Sequence, residues 1–550
     1  MFAPRKWFPF LRWPRPSPAL LRTEASAALT VALVTIPQSV AYAGLAGMPL
    51  VTGLYAAFLP ALIAVLFSSS TRLSVGPAAL TCVLVGASLV GMAEPASPQW
   101  VSLAVWLALL SGAIQLALGA TGASWVLNLV SSPVLAGFTQ AAALLIIASQ
   151  LPALIGLQGS LGSLLDQPRL DWGALAFGAV SLLLFVAGKR YAPRLPMVLL
   201  VLAVAAVIGK FSGYSEHGAV IGSLPSGLPS FYWPVFPGWN NLTALIMPAL
   251  VIALVSSLEM ASSAKIESQR DGRRWNANQD LIGQGLGKLV SAFCGSFPTS
   301  ASFSRSAITL YAGAKTGWAT VLASAILLVA LLFLTSLLFH VPRAVLAAVV
   351  VAAVSGLVKP TIFLRLARID RVEASIALVT FAVTIASAPR IYWGVLTGVM
   401  LGLAHFLHHR LHPRIIEVGL HPDGSLRDRH LWGLPPLASQ TYALRMDAEL
   451  DFASASALER AIVEHLAADP GVRHVCLFAQ PVNRIDATGV EVFVQMRDML
   501  RARGITLHIS GIKLPVEKVL QRAGALEEGP LLRLYRTDVD ALLAFGRLSS

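Results

Sequence analysis

The sequence predicts an α-helical membrane protein with many spans and a smaller α/β domain at its C-terminus. Of its 550 residues, 56% are hydrophobic and 13% are charged, whereas a soluble protein of this size has about twice that charged fraction. The mean hydropathy is +0.70, and apolar runs of helix length recur from about Leu20 to about Leu407. From Thr441 onward, strand and helix patterns alternate, which is typical of a small α/β domain.

Residues 1–22 form a basic segment ahead of the first apolar run, about Ala25–Ala46. This order resembles a signal peptide, but the run is too long for one and no A-x-A cleavage pattern closes it. We therefore expect a retained first span. Pro37 in the middle of this span removes one backbone hydrogen bond, and Gln38 and Tyr42 share one of its faces because they are four residues apart.

The positions of lysine and arginine predict the orientation of the chain. The net charge of +13 could suggest nucleic-acid binding, but the cations concentrate in alternate loops, which is the positive-inside pattern. One side has the N-terminal arginines and the clusters at Arg72, 189–194, 265–274, Lys315, 359–371 and 410–414. The other side has only Arg169, Lys210, Arg343 and Arg390. We expect both termini in the cytoplasm, an even number of spans, a place in the inner (cell) membrane and no nucleic-acid partner.

The transport region, residues 23–410, is predicted to have 14 spans in a 7+7 inverted repeat. Repeat one covers about 23–212 and repeat two about 242–410, and the third span of each is short and broken, at Pro77 and at Phe303. Halves with an odd number of spans must be inverted relative to each other. Paired interrupted segments are the best sequence indication of a transporter's binding site.

The stretch Phe297–Ala307 is the first half of that candidate site. It clusters small polar residues around an arginine where a short helix begins, at about Phe303. A helix start presents free N–H groups and the positive end of a dipole to an anion. Ser302 and Ser304 could donate hydroxyl hydrogen bonds. Arg305 at membrane depth favours anion binding, although it could instead pair with a carboxylate or lie near the membrane surface.

The second half of the candidate site is Ala78 and Ala79, which would offer only backbone to an anion. Gln38 and Tyr42 would line the pocket from the first span, or else make a helix–helix hydrogen bond and an interface contact. Glu259 is interpreted as the carboxylate well inside a span. A buried lone acid could take up a proton and offset the charge of an entering anion. The alternative is a permanent ion pair with Arg305 or Lys265.

No feature of the sequence indicates an enzyme, a metal site or a cofactor. The cysteines, Cys82, Cys294 and Cys476, are scattered, and no nucleophile–base pair or P-loop is visible. The histidines between 405 and 412 lie at a predicted helix end, where they complement the helix dipole.

The C-terminal part is predicted as a linker, 411–439, followed by an α/β domain, 440–550. Its expected elements are strands at Tyr442–Met446, Val472–Phe478 and Thr506–Ser510, and helices at Ala453–Leu466, Gly489–Arg503 and Pro515–Ala523. In the turn before the second helix, Asp486 and Thr488 could cap that helix.

Several motifs, in order, resemble those of the sulfate permease (SulP) family of anion transporters, whose members include prestin and plant sulfate transporters. They are Ile36-Pro-Gln-Ser-Val-Ala-Tyr-Ala-Gly-Leu-Ala46, Gly53-Leu-Tyr55, Ser74-Val-Gly-Pro77 and Phe303-Ser-Arg-Ser306. The resemblance implies a core (gate) domain of spans one to four and eight to eleven moving against a scaffold. It also implies that an anion is held between the third and tenth half-helices, with Phe303 at the start of the tenth as part of the site. Finally, it implies a homodimer. The C-terminal region resembles a STAS domain.

Two positions depart from the family pattern. Ala78 stands where some relatives have a bulky aromatic, which implies a roomier pocket. Thr488 alone matches the phosphorylatable position of related STAS proteins, so it is either a regulatory phosphosite or part of the helix cap. Proton-coupled relatives have an acid on span eight, as Glu259 is here, which favours proton symport over uncoupled exchange.

We therefore expect a secondary active transporter of sulfate, bicarbonate or a dicarboxylate, working in the lipid bilayer by an elevator-like mechanism with protons as the coupling ion. One alternative is a nucleobase/proton symporter of related inverted-repeat fold, against which Arg305 argues. Others are an uncoupled anion exchanger and a membrane-tethered signalling module whose STAS-like domain recruits a partner.

Overall fold

The computed structural model describes residues 8–157, 170–191, 196–225, 227–527 and 529–548. Arg169 and Arg194 of the charge pattern, and the first seven residues of the predicted N-terminal segment, lie outside these ranges. The chain divides into two compact units, Met1–Gly402 and Leu403–Ser550.

The first unit is helical. Its main helices are α1 Pro18–Leu45, α2 Val51–Phe67, α3 Ala79–Leu89, α4 Pro98–Ala120, α5 Ser132–Ile155, α6 Trp172–Tyr191, α7 Met197–Phe211, α8 Trp239–Asp271, α9 Ala277–Phe293, α10 Phe303–Tyr311, α11 Trp318–Val329, α12 Arg343–Ser355, α13 Arg371–Ala386 and α14 Tyr392–Leu411, the last of which continues into the second unit. Four helices in the described ranges, α1, α4, α5 and α8, are long and apolar enough to cross a membrane. Several others are shorter apolar helices, so the count of 14 spans stays a prediction.

Local sequence explains several helix starts. Ser17 accepts a hydrogen bond from the backbone N–H of Leu20, and Ser97 accepts one from that of Trp100. Each serine is followed by a proline at the first helical position, where the missing N–H costs nothing. Pro37 lies inside α1, which continues from Pro18 to Leu45 as one helix.

The helices pack in two groups. Helices α1 to α4 pack with α8 to α11, and α5 packs with α6, α12 and α13. In the first group, a Cβ atom added to Gly112 would lie 3.0 Å from the carbonyl oxygen of Gly285, so α4 and α9 touch through their backbones. We call α1–α4 with α8–α11 the core group and the others the scaffold group.

Two short strands join the two halves of the core group. Strand β1, Val75–Gly76, pairs antiparallel with β2, Ser300–Ala301, with Val75 opposite Ala301 and Gly76 opposite Ser300. Each strand comes just before a half-length helix, α3 or α10. Since the strands are antiparallel, the two helices leave this ladder in opposite directions.

The second unit is built on a six-stranded sheet in the order β4-β3-β5-β6-β7-β8. The strands are β3 Ile415–Leu420, β4 Leu426–Asp428, β5 Thr441–Met446, β6 His474–Phe478, β7 Thr506–Ser510 and β8 Leu532–Tyr535, and the main helices are α15 Ala455–Ala468, α16 Ala487–Ala502, α17 Leu514–Arg522 and α18 Asp538–Leu548. Strands β5 to β8 are parallel, and β3 is antiparallel to both of its neighbours.

The structure differs from the sequence-based prediction at both ends of this unit. Residues 411–439, predicted as a linker, contain β3 and β4, and β3 pairs directly with β5. In β3, Ile416 and Val418 are buried on either side of the less buried Glu417, but the run is short and lies among Pro, Gly and His. The prediction also left out β8 and α18.

Candidate functional site

Arg305 lies at the centre of the site, on the first turn of α10. It is 0% exposed, and its Nε donates a hydrogen bond to Ser74 Oγ at 3.3 Å. Its Nη1 and Nη2 are buried and have no hydrogen-bond acceptor among the described residues. A buried guanidinium without acceptors is strongly unfavourable, so this end of the side chain is suited to an anionic ligand.

Ser74 and Gly76, in the segment that leads into α3, shape the space around this guanidinium. The backbone N–H of Ser74 donates to Ser306 Oγ (3.0 Å), and its carbonyl oxygen accepts from the N–H of Ser302 (2.9 Å). Gly76 has φ +152°, and a Cβ atom there would lie 3.4 Å from Arg305 Nη2. The first repeat therefore holds the arginine of the second.

The three predicted residues before Arg305 have different surroundings. Ser302 is buried, and its hydroxyl accepts from the backbone N–H of Arg305 (3.5 Å), so it caps α10. Phe303 is 48% exposed, and Ser304 is also exposed. Ser302 and Arg305 thus lie together in the interior, whereas Phe303 and Ser304 occupy the exposed side of the first turn.

The site residues predicted from the first repeat lie in α1 or at the start of α3, which are helices of the core group. Ala78 is 2% exposed and Ala79 is half-buried at the start of α3. Tyr42 is buried in α1. Gln38 is buried, and its Oε1 receives no hydrogen bond from any residue in the described ranges.

Gln38 also lines a cavity of 350 Å³ between the two helix groups. Ile308 of α10 faces the same cavity, together with Phe185 of α6, Met197 of α7 and Val349 of α12. The cavity therefore reaches α10, the helix of Arg305, and is bordered by both groups.

Glu259 of α8 touches both broken segments. Its Oε2 accepts hydrogen bonds from Thr81 Oγ1 of α3 (3.2 Å) and from Ser300 Oγ of β2 (2.5 Å). The residue is half-buried. Within the described part of the chain, neither Arg305 nor Lys265 forms an ion pair with it within 4.0 Å, so the alternative of a permanent ion pair is not the arrangement in this structure.

The sequence-based prediction missed four residues of this region. Ser74, Thr81 and Ser300 hold Arg305 and Glu259, and Lys288 of α9 is a fully buried cation. The signal for the three hydroxyl residues was their place within or beside the broken segments. For Lys288 it was a charged side chain within the glycine-rich span, where a cation is costly.

The polar segment 68–72 anchors the first repeat to the second. Arg72 forms ion pairs with Glu267 and Asp271 at the end of α8. The side chain of Asp280 in α9 accepts from the backbone N–H groups of Ser69 (2.7 Å) and Ser70 (2.9 Å). These bonds fix the chain entering β1.

In the second unit, Asp486 caps α16. Its Oδ1 accepts from the backbone N–H of Gly489 at 2.8 Å. Thr488 is exposed at the second helical position and does not act as the cap, so that part of the prediction is wrong. Among the described residues, no group of three or more His, Cys, Asp or Glu side chains could hold a metal ion.

The chain matches two family models. Residues 21–380 match the sulfate permease family and residues 437–541 match the STAS domain. A probable sulfate transporter of Mycobacterium tuberculosis is 32% identical over 542 residues, covering 96% of this chain and 96% of that protein. This relative is named as a transporter, in agreement with the prediction that the chain is not an enzyme.

Two solved structures have the same fold. The murine anion transporter Solute Carrier 26 family member A9, in its inward-facing state, matches with a TM-score of 0.89 at 20% identity, covering 100% of this chain and 95% of that one. The transmembrane domain of the cyanobacterial bicarbonate transporter BicA matches with a TM-score of 0.60 at 20% identity, covering 70% and 98%. The predicted fold class, a helical membrane protein with a C-terminal STAS domain, is confirmed.

Proposed function

Because the chain belongs to the sulfate permease family, we propose that it is a secondary active transporter that carries sulfate across the membrane together with a proton. The observation that best supports this is the guanidinium of Arg305, whose two Nη groups are buried without acceptors in the described structure. A guanidinium presents parallel N–H donors that match the oxygens of an oxyanion.

The proposed anion site lies between the starts of α3 and α10. The backbone N–H groups at Ala78 and Ala79 would face the anion from one side, and Arg305 and the backbone after Ser302 from the other. Gln38, Tyr42, Phe303 and Ser304 are proposed to border the entry path. A relative named as a sulfate transporter favours sulfate; bicarbonate, named for a structural neighbour, and a dicarboxylate are the other candidates.

Glu259 is the proposed proton-coupling residue. Its carboxylate accepts from one hydroxyl in each broken segment, so its charge acts on both sides of the site. Protonation would remove one negative charge as the anion enters and would change the hydrogen bonds of Thr81 and Ser300. We propose that the core group then moves against the scaffold group in an elevator-like cycle.

Sulfate uptake into proteoliposomes under a pH gradient tests this function. We expect the gradient to drive accumulation in the unchanged protein and to have little effect on Glu259→Gln, with Glu373→Gln in α13 as a matched control. Full gradient-driven uptake by Glu259→Gln would exclude the coupling role. If that variant still exchanges sulfate without net accumulation, it behaves as the uncoupled exchanger. Uracil competing better than sulfate would favour the nucleobase alternative instead.

The assembly and placement of the protein are further proposals. We propose a homodimer in the inner membrane with both termini in the cytoplasm, which cross-linking and cysteine labelling from each side can test. Thr488 is exposed and stays a proposed phosphosite; phosphopeptide mass spectrometry that finds it always unmodified would count against it.

The signalling alternative is tested by removing the STAS domain. Since β3 pairs with β5, a deletion that begins at residue 440 would leave β3 without this partner. A deletion from residue 412 removes the whole sheet and is the better experiment. Unchanged uptake would indicate that the domain has a separate role.

A further inference from the structure

Lys288 is a fully buried cation that the proposed transport cycle does not use. Its side chain is 0% exposed in α9. Nζ donates hydrogen bonds to Gln115 Oε1 of α4 (2.7 Å) and to Ser256 Oγ of α8 (2.5 Å). Gln115 is fixed in turn, because its Nε2 donates to the carbonyl oxygen of Ala253 (3.1 Å) and to Ser257 Oγ (2.7 Å). A buried ammonium with a built set of acceptors is costly to keep and indicates a role.

Helix packing fixes the stem of this lysine. A Cβ atom added to Gly112 of α4 would lie 2.9 Å from the Cβ of Lys288, so the side chain starts where α4 and α9 are in closest contact. Its ammonium group is bonded to α4 and α8 and is not exposed to solvent. The charge therefore has a fixed position relative to α8.

Glu259 lies three residues after Ser256 on α8, so it shares a face of that helix with the serine that holds the Lys288 ammonium group. Other buried ionisable side chains close to Glu259 include Arg305 of α10, Tyr42 of α1 and Cys82 of α3, and of these three the guanidinium carries a charge at neutral pH. Helix α4 has no ionisable side chain. The remaining ionisable groups on α8 and α9 have their own partners. Glu267 and Asp271 pair with Arg72, and Asp280 bonds to Ser69 and Ser70. Lys265 lies 5.9 Å from the ring centre of Trp275, and Arg270 donates to the carbonyl oxygen of Leu310.

We propose that Lys288 is a positioning residue whose fixed positive charge sets the pH at which Glu259 takes up its proton. The proposal rests on the proton uptake by Glu259 proposed above. A nearby cation favours the ionised form of a carboxyl group. Removing the charge while keeping the hydrogen bonds should therefore move protonation of Glu259 to higher pH.

Infrared difference spectroscopy of the purified full-length protein measures this directly. The carboxyl band of Glu259 is assigned by its loss in Glu259→Gln, and its intensity is followed against pH. We expect the midpoint to rise by about one pH unit or more in Lys288→Gln, which keeps hydrogen-bonding groups, and in Lys288→Met. Lys288→Arg, which keeps the charge, should leave it near the original value.

Three outcomes would overturn the proposal. One is an unchanged midpoint in both neutral variants, which would show that the charge at Lys288 does not reach Glu259. Another is an equal shift in Lys288→Arg, which would indicate packing rather than charge. The third is the absence of any titrating band that Glu259→Gln removes. A failure of sulfate uptake would reject the proposed function alone, because the infrared titration needs no transport.

Discussion

The two broken segments occupy equivalent places in the fold but differ in chemistry. The first, at β1 and the start of α3, presents Gly76, Pro77, Ala78 and Ala79, whose side chains have no polar atom. The second, at β2 and the start of α10, presents serines and the guanidinium of Arg305. The first segment thus offers backbone N–H groups and space to a ligand, and the second segment offers charge. The proposed anion site is therefore asymmetric: the first segment would supply backbone N–H groups, and the second would supply the guanidinium of Arg305.

Arg305→Ala removes the charge of the second segment and should lower sulfate affinity more than the other substitutions considered below. We expect sulfate affinity to fall by about 10- to 150-fold, since a hydrogen bond to a charged group contributes about 1.5–3 kcal/mol. Arg305→Lys should recover only part of the loss, because an ammonium lacks the planar fork. Binding to purified protein by calorimetry measures both, and unchanged affinity in Arg305→Ala would remove Arg305 from the site.

Gly76→Ala tests the half that offers space. The new Cβ would lie 3.4 Å from Arg305 Nη2 at a φ of +152°, which is strained for a residue with a side chain, by about 1–3 kcal/mol. We expect lower thermal stability together with sulfate affinity lowered by about 10-fold. Gly91→Ala is the matched control, since it has φ +82° and no atom within 4 Å. If both variants lose affinity equally, the space at Gly76 is not specific to the site.

Ser302→Ala removes the cap of α10. A lost N-cap costs about 1 kcal/mol, so we expect a small drop in melting temperature and about a fivefold loss of affinity. Ser302→Asp restores a cap but places a carboxylate near Arg305. It should recover stability and not sulfate binding, and recovery of both would show that charge near the arginine is unimportant.

Ser304→Ala should have the smallest effect. Its side chain is exposed, and the hydroxyl of Ser302, 3.4 Å away, is its one hydrogen-bonding neighbour among the described contacts. We expect sulfate affinity within about twofold of the original, as for most exposed substitutions. A tenfold loss would show that Ser304 contacts the anion directly.

Local signals were enough to predict the helix that follows Ser302. The serine cluster, the arginine and the apolar run predict a short helix that begins at about Phe303, and the helix in the structure is Phe303–Tyr311. The contacts of Arg305 could not be predicted, because Ser74 belongs to the other repeat and only the β1–β2 register brings them together. Glu259 was chosen as a buried acid, but its partners Thr81 and Ser300 depend on the same register.

Two further omissions have a simple physical cause. The sequence contains Lys288 but not its burial, which depends on the close packing of α4 and α9 at Gly112 and Gly285. Strand β3 cannot be predicted from the sequence, because a six-residue strand has too few alternating positions to stand out beside proline and glycine. Long apolar helices, by contrast, are set by length and composition, which the sequence contains directly.

The β1–β2 ladder also constrains how the protein can be made. Val75 and Gly76 leave the ribosome long before Ser300 and Ala301, their partners. Throughout that interval, α3 is too short to span a bilayer, and the backbone leading into it lacks its strand partner. We expect that the insertion machinery, or water, must satisfy the unpaired backbone groups of repeat one until the first third of repeat two has been synthesised. The broken helix of repeat one therefore reaches its final structure only after this part of repeat two has been made.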